Sequence, residues 1–111
     1  MKIAIPCAGG QLCMHFGHCQ QFAFVEVNDD KSIAGVEMID PPMHAPGVYP
    51  RWVKEQGADM VIAGGMGGRA QGMFEQHGVR VLAGAPSAPP EDIVQAWIDE
   101  TLQLGANACD H

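Results

Sequence analysis

The chain has 111 residues and a mass of 11.8 kDa, enough for one hydrophobic core and too little for two ordinary domains. Six Lys and Arg against thirteen Asp and Glu leave a formal charge of −7, which repels the phosphates of nucleic acids and the headgroups of anionic membranes. Residues 1–6 hold too short an apolar run for a signal peptide and nowhere do ~18 apolar residues follow one another, so a cytoplasmic protein with no nucleic-acid or membrane partner is expected.

With 47% hydrophobic residues the chain should fold, although glycine and proline together make about a fifth of it. Residues 2–6 read as a short apolar strand that ends in Cys7-Ala8-Gly9-Gly10. The β-type run of residues 22–27, the polar turn Asn28-Asp29-Asp30-Lys31 and residues 32–39 form an expected antiparallel hairpin. Proline crowds residues 40–50 into a loop, after which a helix is expected from about Tyr49 or Pro50 to Gln56. Residues 58–63 form a strand broken by Gly64-Gly65-Met66-Gly67-Gly68, and a helix over about 69–77 follows, with Gly78 as its left-handed cap. Residues 79–82 are a strand and 83–90 a loop. The last helix opens on Pro90-Glu91-Asp92, where acids suit the helix dipole, and its buried stripe is Ile93, Val94, Trp97, Ile98, Leu102 and Leu104.

This order is that of an α/β domain whose last strands pair in parallel. The loops at the carboxyl ends of those strands, residues 7–20, 64–68 and 83–89, should then gather on one edge, where such sheets bind ligands.

Two stretches carry chemistry. Cys13-Met14-His15-Phe16-Gly17-His18-Cys19 sets two thiols, two imidazoles and a thioether in one loop, a density that packing does not require. Thiolate and thioether are soft ligands for copper(I), zinc and sulfide clusters, and imidazole suits most later transition metals. Cys109-Asp110-His111 adds a second pair beyond the last helix. The candidate metal ligands are therefore Cys13, His15, His18, Cys19, Cys109 and His111. Their spacing is not that of a zinc knuckle, and a core of this size needs no disulfide staples. Cys7 and His44 can be read either as ligands or as structural residues. His77 beside Gly78 is explained by the helix end, and Met60, Met73, Trp52 and Trp97 by packing.

The second stretch is the glycine turn. Gly65-Met66-Gly67-Gly68-Arg69-Ala70 fits G-x-G-x-x-A between strand and helix, yet no acid follows the next strand to hold a ribose, and no Gly-Lys-Ser/Thr is present. What remains is an anion cradle of main-chain N–H groups at Gly65, Gly67 and Gly68 with the charge of Arg69, or glycines that serve close packing alone. No nucleophile motif or carboxylate pair supports catalysis.

Three segments in this order, His15-Phe16-Gly17 with Phe22-Ala23-Phe24, residues 61–70, and Gly78-Val79-Arg80-Val81, resemble the dinitrogenase iron-molybdenum cofactor biosynthesis family over almost the whole chain. The resemblance implies a three-layer, ribonuclease H-like α/β fold with a mixed five-stranded sheet and no catalysis by the domain. It is strongest to a stand-alone branch with His44-Ala45-Pro46-Gly47 before the first helix and a Cys-Asp-His end, a branch that resembles proteins associated with molybdenum, copper or iron sulfide clusters. The chain is richer in Cys and His than a typical nitrogenase accessory domain. The expected function is a non-enzymatic carrier of a metal-sulfur cluster containing Mo, Fe or Cu, built from a domain over residues 1–105 and a ligand-bearing tail over 106–111, with a cluster donor or acceptor protein as partner. A single-ion zinc or copper module that acts by contacting a partner is the alternative, followed by an anion- or nucleotide-binding enzyme.

Overall fold

The computed structural model describes residues 1–43 and 47–105. Alternation of side chains along β1 (Lys2–Ala8) sends Ile3, Ile5 and Cys7 to one side and Ala4 to the other, and the whole sheet follows that division. β3 (Gln21–Val27) and β4 (Ile33–Ile39) form the expected hairpin and lie antiparallel to β1, whereas β5 (Met60–Ile62) and β6 (Arg80–Leu82) run parallel to it. The order β4-β3-β1-β5-β6 is a mixed sheet of five strands, with the two-residue β2 (Gln11–Leu12) folded back on the end of β1.

Each face of the sheet is covered. On one, α1 (Val48–Glu55) and α2 (Gly68–Gln76) place Tyr49, Val53 and Phe74 over Ala4, Phe22, Phe24, Val61 and Phe16. On the other, α3 (Pro90–Ile98) packs Ile93 and Val94 against Ile3, Ile5, Ala23, Val25 and Ile62. The result is the three-layer, ribonuclease H-like α/β fold. None of its described helices is long and apolar enough to cross a membrane.

The last helix is shorter than its apolar stripe implies. It stops at Ile98, Glu100 takes a left-handed backbone (φ +61°), and the amides of Thr101 and Leu102 both donate to the Ala96 carbonyl (2.8 and 3.1 Å). Leu102 still packs on the core, but from a non-helical strap, and Leu104 is exposed. Four-residue spacing from Ile98 to Leu102 puts an apolar residue on the same side whether the chain continues as a helix or turns back. That is why periodicity overextends the element.

Candidate functional site

Main-chain hydrogen bonds draw the three loops at the carboxyl ends of the parallel strands together. After β2, the Cys13 amide donates to the Pro6 carbonyl (2.8 Å) and the chain then crosses to the exit of β5. There the Gly65 amide donates to the Met14 carbonyl (2.6 Å) and the Phe16 amide to the Gly65 carbonyl (2.9 Å), a parallel bridge between His15 and Gly65. The third loop joins on the far side of the glycine turn, where the Gly84 amide donates to the Gly64 carbonyl (2.7 Å), and the Leu12 amide reaches the Ala88 carbonyl (2.9 Å).

Phe16 anchors the 13–19 loop. Its ring is 7% exposed and meets Tyr49, Phe74 and Phe22 edge to face at centroid distances of 5.5, 5.6 and 6.2 Å. Burying a side chain of this size is worth roughly 1.5–3 kcal/mol. The 3-10 turn Phe16–His18 that follows leaves His15 and His18 exposed, their ring centroids 5.9 Å apart. Alternation around one buried phenylalanine thus turns both imidazoles outward.

The thiols differ in surroundings. Cys13 is half-buried and its Sγ donates to the His15 carbonyl (3.1 Å). Cys19 is half-buried against Tyr49, whose hydroxyl shares a hydrogen bond with its sulfur; burial first, and then the neighbouring Cys13, push the Cys19 thiol up to about 11. Burial also raises the Tyr49 hydroxyl, with Cys19 adding to it. Cys7 points the other way. It is fully buried on the α3 side with Ile3, Ile5 and Leu12, its Sγ donates to the Ile5 carbonyl (3.3 Å), and burial pushes it up to about 11. Cys7 is a core residue, because period two puts it on the face opposite Cys19.

The glycine turn leads into α2 with Gly67 as N-cap and no side chain capping the helix start. A β-carbon at Gly67 or Gly68 would meet nothing within 4 Å, and the same is true of Gly17 in the facing loop. The start of α2 therefore has open space on the side where these glycines carry no side chain, beside the His15-to-Gly65 bridge. Arg69 is exposed on that first turn, and the Gln71 side-chain amide holds the Met66 carbonyl from within (2.8 Å). Of the four residues of the expected anion cradle, Gly65 is buried and serves the bridge, whereas Gly68 and Arg69 are exposed and Gly67 is partly so.

Cys13, His15, His18 and Cys19 share this edge, yet among the described residues no three His, Cys, Asp or Glu side chains converge as a ready-made ion site. His44, Cys109 and His111 lie outside the described residues. A cleft lined by Met1, Val27, Lys31, Trp97, Leu102 and Leu104 holds none of the thiols or imidazoles.

Sequence reasoning did not single out Gly64, Gly84 or Tyr49. Gly64 is pressed on the Cys13 loop, and Gly84 (φ +92°) accepts from the Gly105 amide (2.7 Å), an approach so close that a β-carbon at 84 would overlap the Gly105 carbonyl. The available signal was the glycine excess itself, which exceeds what the turns need. Nothing local marks Tyr49 as a thiol partner.

A family model described as dinitrogenase iron-molybdenum cofactor matches residues 1–100. The chain belongs to that family. An uncharacterized protein of Methanocaldococcus jannaschii is 31% identical over 108 residues, which span 93% of this chain and 90% of the relative. The crystal structure of PH0822 superimposes with a TM-score of 0.85 at 29% identity, over 96% of this chain and 98% of that one. The apo form of the orange protein from Desulfovibrio gigas has the same fold, with a TM-score of 0.74 at 20% identity over 96% and 93% of the two chains. Membership in the dinitrogenase iron-molybdenum cofactor family connects the chain to metal-sulfur cofactor biosynthesis.

Proposed function

We propose that this protein is a non-enzymatic, cytoplasmic carrier of a preassembled metal-sulfur cluster of the Mo, Fe or Cu type, received from a donor protein and passed to an acceptor. The observation that carries the reading is the uncapped start of α2, with Gly67 and Gly68 open to space, held by the Gly65 bridge beside a loop of thiols and imidazoles. A sulfide cluster ligated by thiolates is a soft anion. Helix-start N–H groups and Arg69 fit its charge, Cys13, Cys19, His15 and His18 fit its metals, and a protein of −7 net charge needs such a local positive site to hold it.

The same arrangement fits a bare zinc or copper ion less well, because no set of three described ligands converges. In this proposal Cys109 and His111 close over the cluster. Support comes from the strap after α3, which delivers Gly105 to Gly84 on the site edge (2.7 Å); Cys109 follows four residues later and His111 six, spans of at most ~14 and ~21 Å.

The test is metal and acid-labile sulfide analysis of protein purified without oxygen from its own host, with and without Cys13→Ser and Cys19→Ser together. Wild-type protein should be coloured and carry sulfide, and the double variant should lose both while the apo form melts as before. A colourless protein with one zinc and no sulfide would favour the single-ion module. Unchanged metal and sulfide in the double variant would remove the loop from the site.

A further inference from the structure

The five-strand path ends in two unlike edges. β6 is three residues long, and the strap after α3 is tied beside its exit through Gly105 and Gly84. β4 is seven residues long, residues 34–38 are all exposed, and it contains neither proline nor lysine, residues that commonly guard an open edge. Its register irregularity opposite Glu26 and Val27 makes Ala34 the extra residue and leaves 35–39 regularly paired with β3. Val36 and Met38, 36% and 39% exposed, pair with Val25 and Ala23 and so lie on the α3 side of the sheet.

We infer that β4 is the interface of a symmetric homodimer, in which two copies pair β4 with β4, antiparallel about a two-fold axis at Val36, into one continuous sheet. An exposed edge accepts a strand through its main-chain N–H and C=O groups, and the side chains decide which strand. Facing residues in one continuous sheet share a face, so a two-fold axis must centre on a single residue. Centred on Val36, the strand Ile33-Ala34-Gly35-Val36-Glu37-Met38-Ile39 complements itself: valine meets valine, each Glu37 meets Gly35, and Met38 meets the bulge at Ile33 and Ala34. Centring on Glu37 would set two carboxylates face to face, which destabilises a strand pair. Past the extra residue Ala34 the pairing moves on by one, which brings Asp40 of one copy to Lys31 of the other at both ends. Large against small, and acid near base, identify a second copy as the occupant.

Ile39 pairs with Phe22 at the end of the sheet that carries the 13–19 loop. Antiparallel pairing therefore sets the two loop edges at opposite ends of the dimer, and neither blocks the other.

Sedimentation of the full chain from low micromolar to near-millimolar concentration should report a mass of twice 11.8 kDa at the upper end. Val36→Lys opposes two ammonium groups on the axis and should weaken association ~100-fold or more while circular dichroism stays unchanged. As a second measurement independent of that variant, Val36→Cys should cross-link to itself on mild oxidation, with the bond mapped between the two copies of position 36, and Glu37→Cys should not. A monomer at all concentrations overturns the inference. So does a dimer that survives a folded Val36→Lys variant, or a cross-link that maps only to position 37.

Discussion

Gly64 stands so close to Cys13 that a side chain there would crowd the loop: a β-carbon at 64 would lie 3.0 Å from the Cys13 carbonyl oxygen, 3.0 Å from the Met14 α-carbon and 3.1 Å from Leu12 Cδ2. Two of those three neighbours are backbone, which yields only by moving the loop. Gly64→Ala should therefore lower stability by ~1–3 kcal/mol, the usual range for overpacking, and cost cluster retention as well. Chemical denaturation and sulfide content of the same preparation measure both. Full retention in a destabilised protein would separate the loop position from binding.

Arg69 is exposed, so solvent screens its charge and its attraction to a bound anion belongs to the range of exposed ion pairs, ~0.2–1 kcal/mol. Arg69→Ala should weaken cluster binding by roughly two- to fivefold, with less effect on bare Zn²⁺ or Cu⁺. Competition titrations with both kinds of ligand compare the two, and an equal loss for the bare ion would sink the anion cradle.

Tyr49→Phe keeps the ring contacts with Phe16 and Phe22 and deletes only the hydroxyl beside Cys19. That hydrogen bond favours the Cys19 thiolate against the larger effect of burial. Its loss should shift the visible spectrum of the loaded protein and slow loading, because a protonated thiol must lose its proton to ligate. The apo melting temperature should move by no more than one hydrogen bond allows, about 1 kcal/mol.

Ending the chain after Gly105 preserves the Gly105-to-Gly84 bond and removes Cys109 and His111. Apo stability should be unchanged and metal retention under chelator weaker. A stability loss near that of a deleted core side chain, ~2–5 kcal/mol, would make the tail structural instead.

Cys7 gives the pH dependence. Its thiol is neutral in the folded core and its ionisation there is pushed from an ordinary 9.0 up to about 11, so its contribution is complete below pH 9.0 and is lost as pH rises towards about 11. Denaturation series across that window should fall more steeply for the wild type than for Cys7→Ala. The difference between the two slopes is the readout; parallel slopes would contradict the burial argument.

Local chemistry wrote much of this protein into its sequence. Apolar runs cut by glycine and proline placed the strands, the proline-led and glycine-closed helices, and the gathering of three loops on one edge, because each signal acts within a few residues of itself. Ligand density marked the 13–19 loop for the same reason. Tertiary structure alone decided that Cys7 faces the α3 core while Cys19 faces Tyr49, that Glu100 turns the chain so that Gly105 meets Gly84, and that a side chain at Gly64 would crowd the Cys13 loop. Each of these depends on backbone brought from tens of residues away, and a glycine needed for a neighbour's closeness looks in sequence the same as one needed for a turn.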